Sequence, residues 1–166
     1  GGPDIPCDKD LACEFMASHE CVDVVVRGEG EETFRDIVRA CLSGSNLVNV
    51  DGIVFREDGH VVATVARPPL RDLSRLPSPY LSGDIQVASR GTGVITIETA
   101  RGCPFSCHYC AVYPSRGNVR AMFPLERLRA ELEYLKRKEF LGKVLIADSA
   151  FNFNRKHAVA VLSLLS

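Results

Sequence analysis

Cys103, Cys107 and Cys110 stand within eight residues at the spacing C-x3-C-x2-C, and no other feature constrains the chain as strongly. Three thiolates on one short loop can grip three corners of a cubane and leave one iron without a protein ligand. Most clusters that only carry electrons take four cysteines, so a set of three hints at an open coordination position. A structural zinc site asks for four closed ligands, and this loop adds only His108, wedged beside Cys107 where it is poorly placed to share the ion. A distant fourth cysteine is the other alternative, with Cys7, Cys13, Cys21 and Cys41 as candidates, none in a suggestive motif. These four read as small, mostly buried apolar side chains. Seven cysteines, an odd number with three bunched together, suit metal better than a disulfide framework, which implies a reducing, cytoplasmic setting.

The flanking pattern is that of an α/β protein. Asp8 to Ser18 is a candidate helix with Leu11 and Phe15 one turn apart, and the β-branched run Val22 to Val26 reads as a buried strand. Phe34, Ile37, Val38, Cys41 and Leu42 then form a single apolar helical stripe, with Glu29, Glu31 and Glu32 near its start and Gly44 near its stop. Two β-rich runs between Val50 and Thr64 flank Asp58-Gly59, a dipeptide suited to a tight hairpin turn that predicts a connector. Pro68, Pro69, Pro77 and Pro79 exclude regular ladders and helices and mark a domain boundary. Val94 to Ile97 predicts a strand leading into the cysteine loop. Leu125, Leu128, Leu132 and Leu135 mark a helix with Pro124 at its first turn, and Val144 to Ala147 marks the next strand. This βαβ order, with a further helix from Arg155 to Leu165, implies a parallel sheet.

Charge and hydropathy exclude little else. With 20 Lys and Arg against 21 Asp and Glu, the formal charge of -1 offers no electrostatic reason to bind nucleic acid or an anionic membrane. Apolar runs fall far short of the ~20 residues that span a bilayer. The chain opens on Gly1 without a basic-then-apolar leader, and reads as an excerpt of a longer protein.

The cysteine spacing, with Tyr109 just before the last cysteine, on a loop after the first strand of a βα series, resembles the radical S-adenosylmethionine superfamily. The resemblance implies a four-iron, four-sulfur (4Fe-4S) cluster on Cys103, Cys107 and Cys110, whose free iron chelates the amino and carboxylate groups of S-adenosylmethionine, with Tyr109 against the adenine. Reductive cleavage would release a 5′-deoxyadenosyl radical that abstracts hydrogen from substrate. Asp148-Ser149-Ala150-Phe151 occupies the place where members hold the methionine end, often with Gly-Gly-Glu; that run is absent, and the sequence is nearer an Asp-Asp-x-Phe variant of cobalamin-dependent members. Asp148 is thus either a cofactor contact or a polar residue closing a strand. Arg101, Arg116 and Arg120 flank the loop as candidate anion partners or as solvated arginines.

Gly1-Gly2-Pro3 and the stretch from Val22 to Phe34 resemble the last βαβ portion of the cobalamin-binding domain that precedes the cluster domain in one radical subfamily. Gly1 and Gly2 would then let the backbone approach cobalamin. A D-x-H-x-x-G cobalt-ligand motif is not found in the chain. The expected architecture is the end of a Rossmann-like cobalamin-binding domain (1–45), a hairpin and Pro-rich linker (46–88), and the first βα units of a partial TIM-like radical barrel (89–166). The expected function is radical chemistry with methyl transfer as the leading type, on an organic small-molecule or peptide substrate, with an electron donor such as flavodoxin or ferredoxin. Rearrangement or hydrogen abstraction without cobalamin is the alternative, and a non-catalytic metal-stabilised or electron-transfer module is a third. The 166-residue chain alone is expected to be inactive.

Overall fold

The computed structural model describes residues 4–105, 107–110 and 121–165. The chain divides into two units, one comprising Gly1–Leu70 and Ser106–Gly117, the other Arg71–Phe105 and Asn118–Ser166.

In the first unit, β1 (Val24–Val26), β2 (Ile53–Glu57) and β3 (His60–Ala63) form an antiparallel sheet in that order. Alternation along the strands sorts their side chains onto two faces. Val25 and Val54, with Val61 and Ala63, pack against Ala12 and Met16 of α1 (Lys9–Ser18). Val26, Ile53 and Phe55, with Val24 and Val62, pack against Ile37 and Ala40 of α2 (Glu31–Ser43). The Asp58-Gly59 turn joins Glu57 to His60 with both central residues at positive φ, 48° and 81°, as a two-residue hairpin of this hand requires. The hairpin is not a separate connector, because β2 pairs with β1 from Val24↔Phe55 to Val26↔Ile53.

Both helices of this unit turn a different face inward from the one their apolar spacing suggests. In α1 the fully buried pair is Ala12 and Met16, while Leu11 is exposed and Phe15 only half-buried. Small Ala12 lets the helix approach the sheet, and Asp8 caps its start by accepting the N–H groups of Asp10 and Leu11 at 2.9 and 3.1 Å. In α2 the buried residues are Thr33 and Ala40, whereas Phe34 and Leu42 are 64% and 83% exposed. Cys41 is exposed with them and Cys21 is exposed as well, while Cys7 and Cys13 are half-buried, so these cysteines are less buried than expected.

Acidic residues just before and along α2 hold the Pro-rich stretch. Glu29 accepts the Leu70 N–H at 2.6 Å, and Asp36 accepts from the Arg67 guanidinium at 2.7 Å. The division between the units at Leu70 and Arg71 lies inside that stretch.

In the second unit, β4 (Val94–Ile97) pairs in parallel with β7 (Lys143–Ile146), and α3 (Leu125–Arg137) lies between them in sequence. The leucine stripe of α3 is used as the spacing predicts. Leu128, Leu132 and Leu135 are buried, and the last two join Ile95, Ile97, Val144 and Ile146 in one core with Leu164 of α4 (Arg155–Leu165). Glu131 is buried on α3 because Arg127 pairs with it at 3.0 Å, and the same guanidinium lies 4.2 Å from the centre of the buried Phe123 ring. The opposite face of the β4–β7 pair, with Val94, Thr96, Leu145 and Ala147, is exposed. No helix among the described residues is long and apolar enough to cross a membrane.

Candidate metal centre

The cysteine loop springs from a short antiparallel ribbon. β5 (Ala100–Arg101) leads into the loop and β6 (Ala121–Met122) leads out, paired as Ala100↔Met122 and Arg101↔Ala121. Gly102 follows at φ 91°, a left-handed conformation that turns the chain off the ribbon just before Cys103 without a side-chain penalty.

All seven cysteines are free thiols, with Cys103 and Cys110 half-buried and Cys107 exposed. Cys110 N–H donates to the Cys107 carbonyl at 3.0 Å, closing a turn between them, and Tyr109 at its tip is 92% exposed. Among the described residues no three His, Cys, Asp or Glu side chains stand together as a metal-holding group. The donor chemistry nevertheless fits an iron-sulfur cluster, since three free thiols on one short loop are the soft ligand set that such clusters take.

The most ordered chemistry lies at the foot of the ribbon. Asp148 stands two residues past the end of β7 and Thr99 two past the end of β4, so the parallel register sets them side by side. The Asp148 carboxylate accepts the N–H groups of Thr99 and Ala100 at 2.7 and 3.1 Å, and also the Thr99 hydroxyl. The Thr99 carbonyl in turn accepts the Phe123 N–H at 3.0 Å and bonds His157 Nε2 at 3.1 Å. A carbonyl can only accept, so the imidazole proton sits on Nε2. Thr99 is fully buried, and His157 is buried in the first turn of α4, where its own N–H bonds the Asn154 side chain at 3.1 Å. Asp148 is thus held against the backbone just past the end of β4. Thr99 and His157 were missed, because neither lies in a motif and only the strand register brings them to the loop.

Arg101 is not a solvated arginine. It is buried, bonds Glu98 at 2.8 Å and lies 5.8 Å from the centre of the Phe123 ring. Gly1 and Gly2, with Arg116 and Arg120, lie outside the described residues.

No protein-family profile matches the chain. An uncharacterized methyltransferase of Pyrococcus horikoshii is 30% identical over 165 residues, covering 97% of this chain and 35% of that protein. The cobalamin-dependent radical S-adenosylmethionine methyltransferase TokK of Streptomyces tokunonensis is 34% identical over 158 residues, covering 91% of this chain and 23% of that protein. Over most of its length the chain is similar to cobalamin-dependent radical S-adenosylmethionine proteins. Its α/β fold with mixed sheets agrees: the structure of the methyltransferase TsrM from Kitasatospora setae, with cobalamin and a 4Fe-4S cluster bound, superposes with a TM-score of 0.64 at 18% identity, covering 92% of this chain and 30% of that one. The chain thus spans 23% to 35% of the length of these two curated relatives.

Proposed function

We propose that this chain is the cluster-holding portion of a cobalamin-dependent radical S-adenosylmethionine methyltransferase. The observation that carries the reading is the C-x3-C-x2-C loop between β5 and β6, just past the end of β4 in a parallel βαβ unit. Cys103, Cys107 and Cys110 would hold a 4Fe-4S cluster, which when bound supplies one-electron reduction of a sulfonium. Exposed Tyr109 would lie against the adenine of S-adenosylmethionine. The exposed face of the β4–β7 pair suits the interior of a partial TIM-like barrel, whose strands are covered on both faces. Residues 1–45, together with the hairpin paired to β1, would close a Rossmann-like cobalamin-binding domain with Gly1 and Gly2 near the ligand, the Pro-rich stretch up to residue 88 would link, and 89–166 would open the barrel. The substrate would be an organic small molecule or peptide, and the electron donor a small carrier such as flavodoxin or ferredoxin.

The test is anaerobic reconstitution of the whole protein, followed by iron and sulfide analysis and electron paramagnetic resonance. The expected result is one four-iron, four-sulfide cluster whose reduced spectrum changes on adding S-adenosylmethionine, and loss of the cluster when any of the three cysteines becomes Ala. Stoichiometric zinc without sulfide, or a spectrum indifferent to the ligand, would replace this reading with that of a metal-stabilised module.

A further inference from the structure

We propose that Asp148, Thr99 and His157 are positioning residues that fix the root of the cysteine loop, and that Asp148 acts through the backbone of that root and not as a contact to S-adenosylmethionine. The inference rests on the cluster reading and deepens it by saying what sets the position of the loop. Every polar atom of Thr99 is engaged: its N–H and hydroxyl with Asp148, its carbonyl with Phe123 N–H and His157 Nε2. Those partners come from three directions. Asp148 follows β7, His157 opens α4, and Phe123 directly follows β6, the strand by which the loop returns. One residue therefore ties the way into the loop, the way out, the neighbouring strand and the last helix.

Three of the roughly four acceptor positions of the Asp148 carboxylate are already filled. Two backbone donors and one hydroxyl converge on it, and bonds to an ionised acceptor are roughly twice as strong as neutral ones. Removing it would leave the Thr99 amide, in a fully buried residue, without its partner, and that penalty falls on the segment that carries Cys103 four residues on. The loop's position would loosen before any ligand arrives. A side chain whose job were to meet S-adenosylmethionine would instead present unfilled lone pairs to the loop side, with the backbone held by other means.

The experiment compares the whole protein with its Asp148→Asn, Asp148→Ala, Thr99→Val and His157→Gln variants, in the cluster-free and the reconstituted state. Amide hydrogen exchange at Thr99 and Ala100 in cluster-free protein should speed up at least about tenfold in Asp148→Ala and less in Asp148→Asn, as expected for losing a charge-assisted bond. Thr99→Val and His157→Gln should raise exchange in the same segment. Iron and sulfide per chain should fall in the same order as exchange rises. Any fraction that loads its cluster should show the wild-type response to S-adenosylmethionine. If Asp148→Asn keeps wild-type exchange and cluster content but loses that response, Asp148 is a ligand and the proposal fails. It fails equally if all variants match wild type. Should Asp148→Ala not fold, Asp148→Asn and Thr99→Val decide alone. A wild-type protein that takes up no iron and sulfide would defeat the cluster reading, while the exchange measurements would still decide whether the root exists.

Discussion

Asp36 shows how a single carboxylate can tie a chain segment to a helix. Burial pushes its pKa up, but hydrogen bonds from Arg35 at 3.0 Å and Arg67 at 2.7 Å, with their charges, outweigh this and hold it below the ordinary value. A carboxyl whose folded pKa is depressed stabilises the fold fully above its unfolded pKa, near ~3.9, and loses that share as pH falls through the lower folded value. Asp36→Asn should therefore lower the urea midpoint at neutral pH and leave the two proteins converging in the acid range. A gap between their midpoints that stays constant from pH 7 to pH 2 would show that the Arg67 tie carries no charge-dependent stability. The same residue scale explains Arg101, which looked like a free cation beside the cysteines and is instead a buried partner of Glu98.

Among the elements, α1 depends most on a residue outside itself. It has no basic residue in its last turn, where the carbonyl ends of a helix attract positive charge. Arg56 on β2 supplies it, with Nη2 donating to the carbonyls of Met16 and His19 and Nε to that of Val22 at 3.3 Å. Arg56→Met should destabilise the unit by ~1–3 kcal/mol, the cost of leaving partly buried carbonyls unmade, read from urea unfolding. Arg56→Lys should fall between, since an ammonium keeps the charge but not the planar fork that reaches several acceptors. Equal stability of Met and wild type would show that water replaces the guanidinium without cost. By contrast α3 needs no such help, because its Leu128, Leu132 and Leu135 stripe matches the sheet face it covers.

For the whole molecule, the two faces left open are informative. Phe34, Val38 and Leu42 on α2, and Val94 and Leu145 on the β4–β7 pair, are large apolar side chains exposed in their own units. The proposed function asks that the full protein add barrel strands to the second. Whole protein purified from a cobalamin-supplied host should carry the visible absorbance of a corrinoid. An intact cluster in protein that stays free of corrinoid would favour radical chemistry without cobalamin.

The elements that could be read from the residues are those whose signal is local. The Asp58-Gly59 turn needs only its own two backbone conformations, the leucine spacing of α3 needs only helical periodicity, and the C-x3-C-x2-C loop needs only three thiols close in sequence. Burial and pairing are not local, and there the sequence reading went astray or stopped. Spacing on α1 and α2 showed that apolar faces exist but not which residues the sheet would accept, because that depends on where the strands lie and how closely a small residue such as Ala12 or Ala40 lets the helix approach. The hairpin's place beside β1 was likewise undetermined, since strand partners are chosen by long-range register. Asp148 carried two readings on sequence alone; the β4–β7 register brought its carboxylate against Thr99, and the packing of α4 brought His157 to the same carbonyl. The spacing of the cysteines was thus legible in the chain, while the residues at the foot of their loop were set by tertiary structure, because a hydrogen-bond network across 49 to 58 residues exists only once the strands and helix have met.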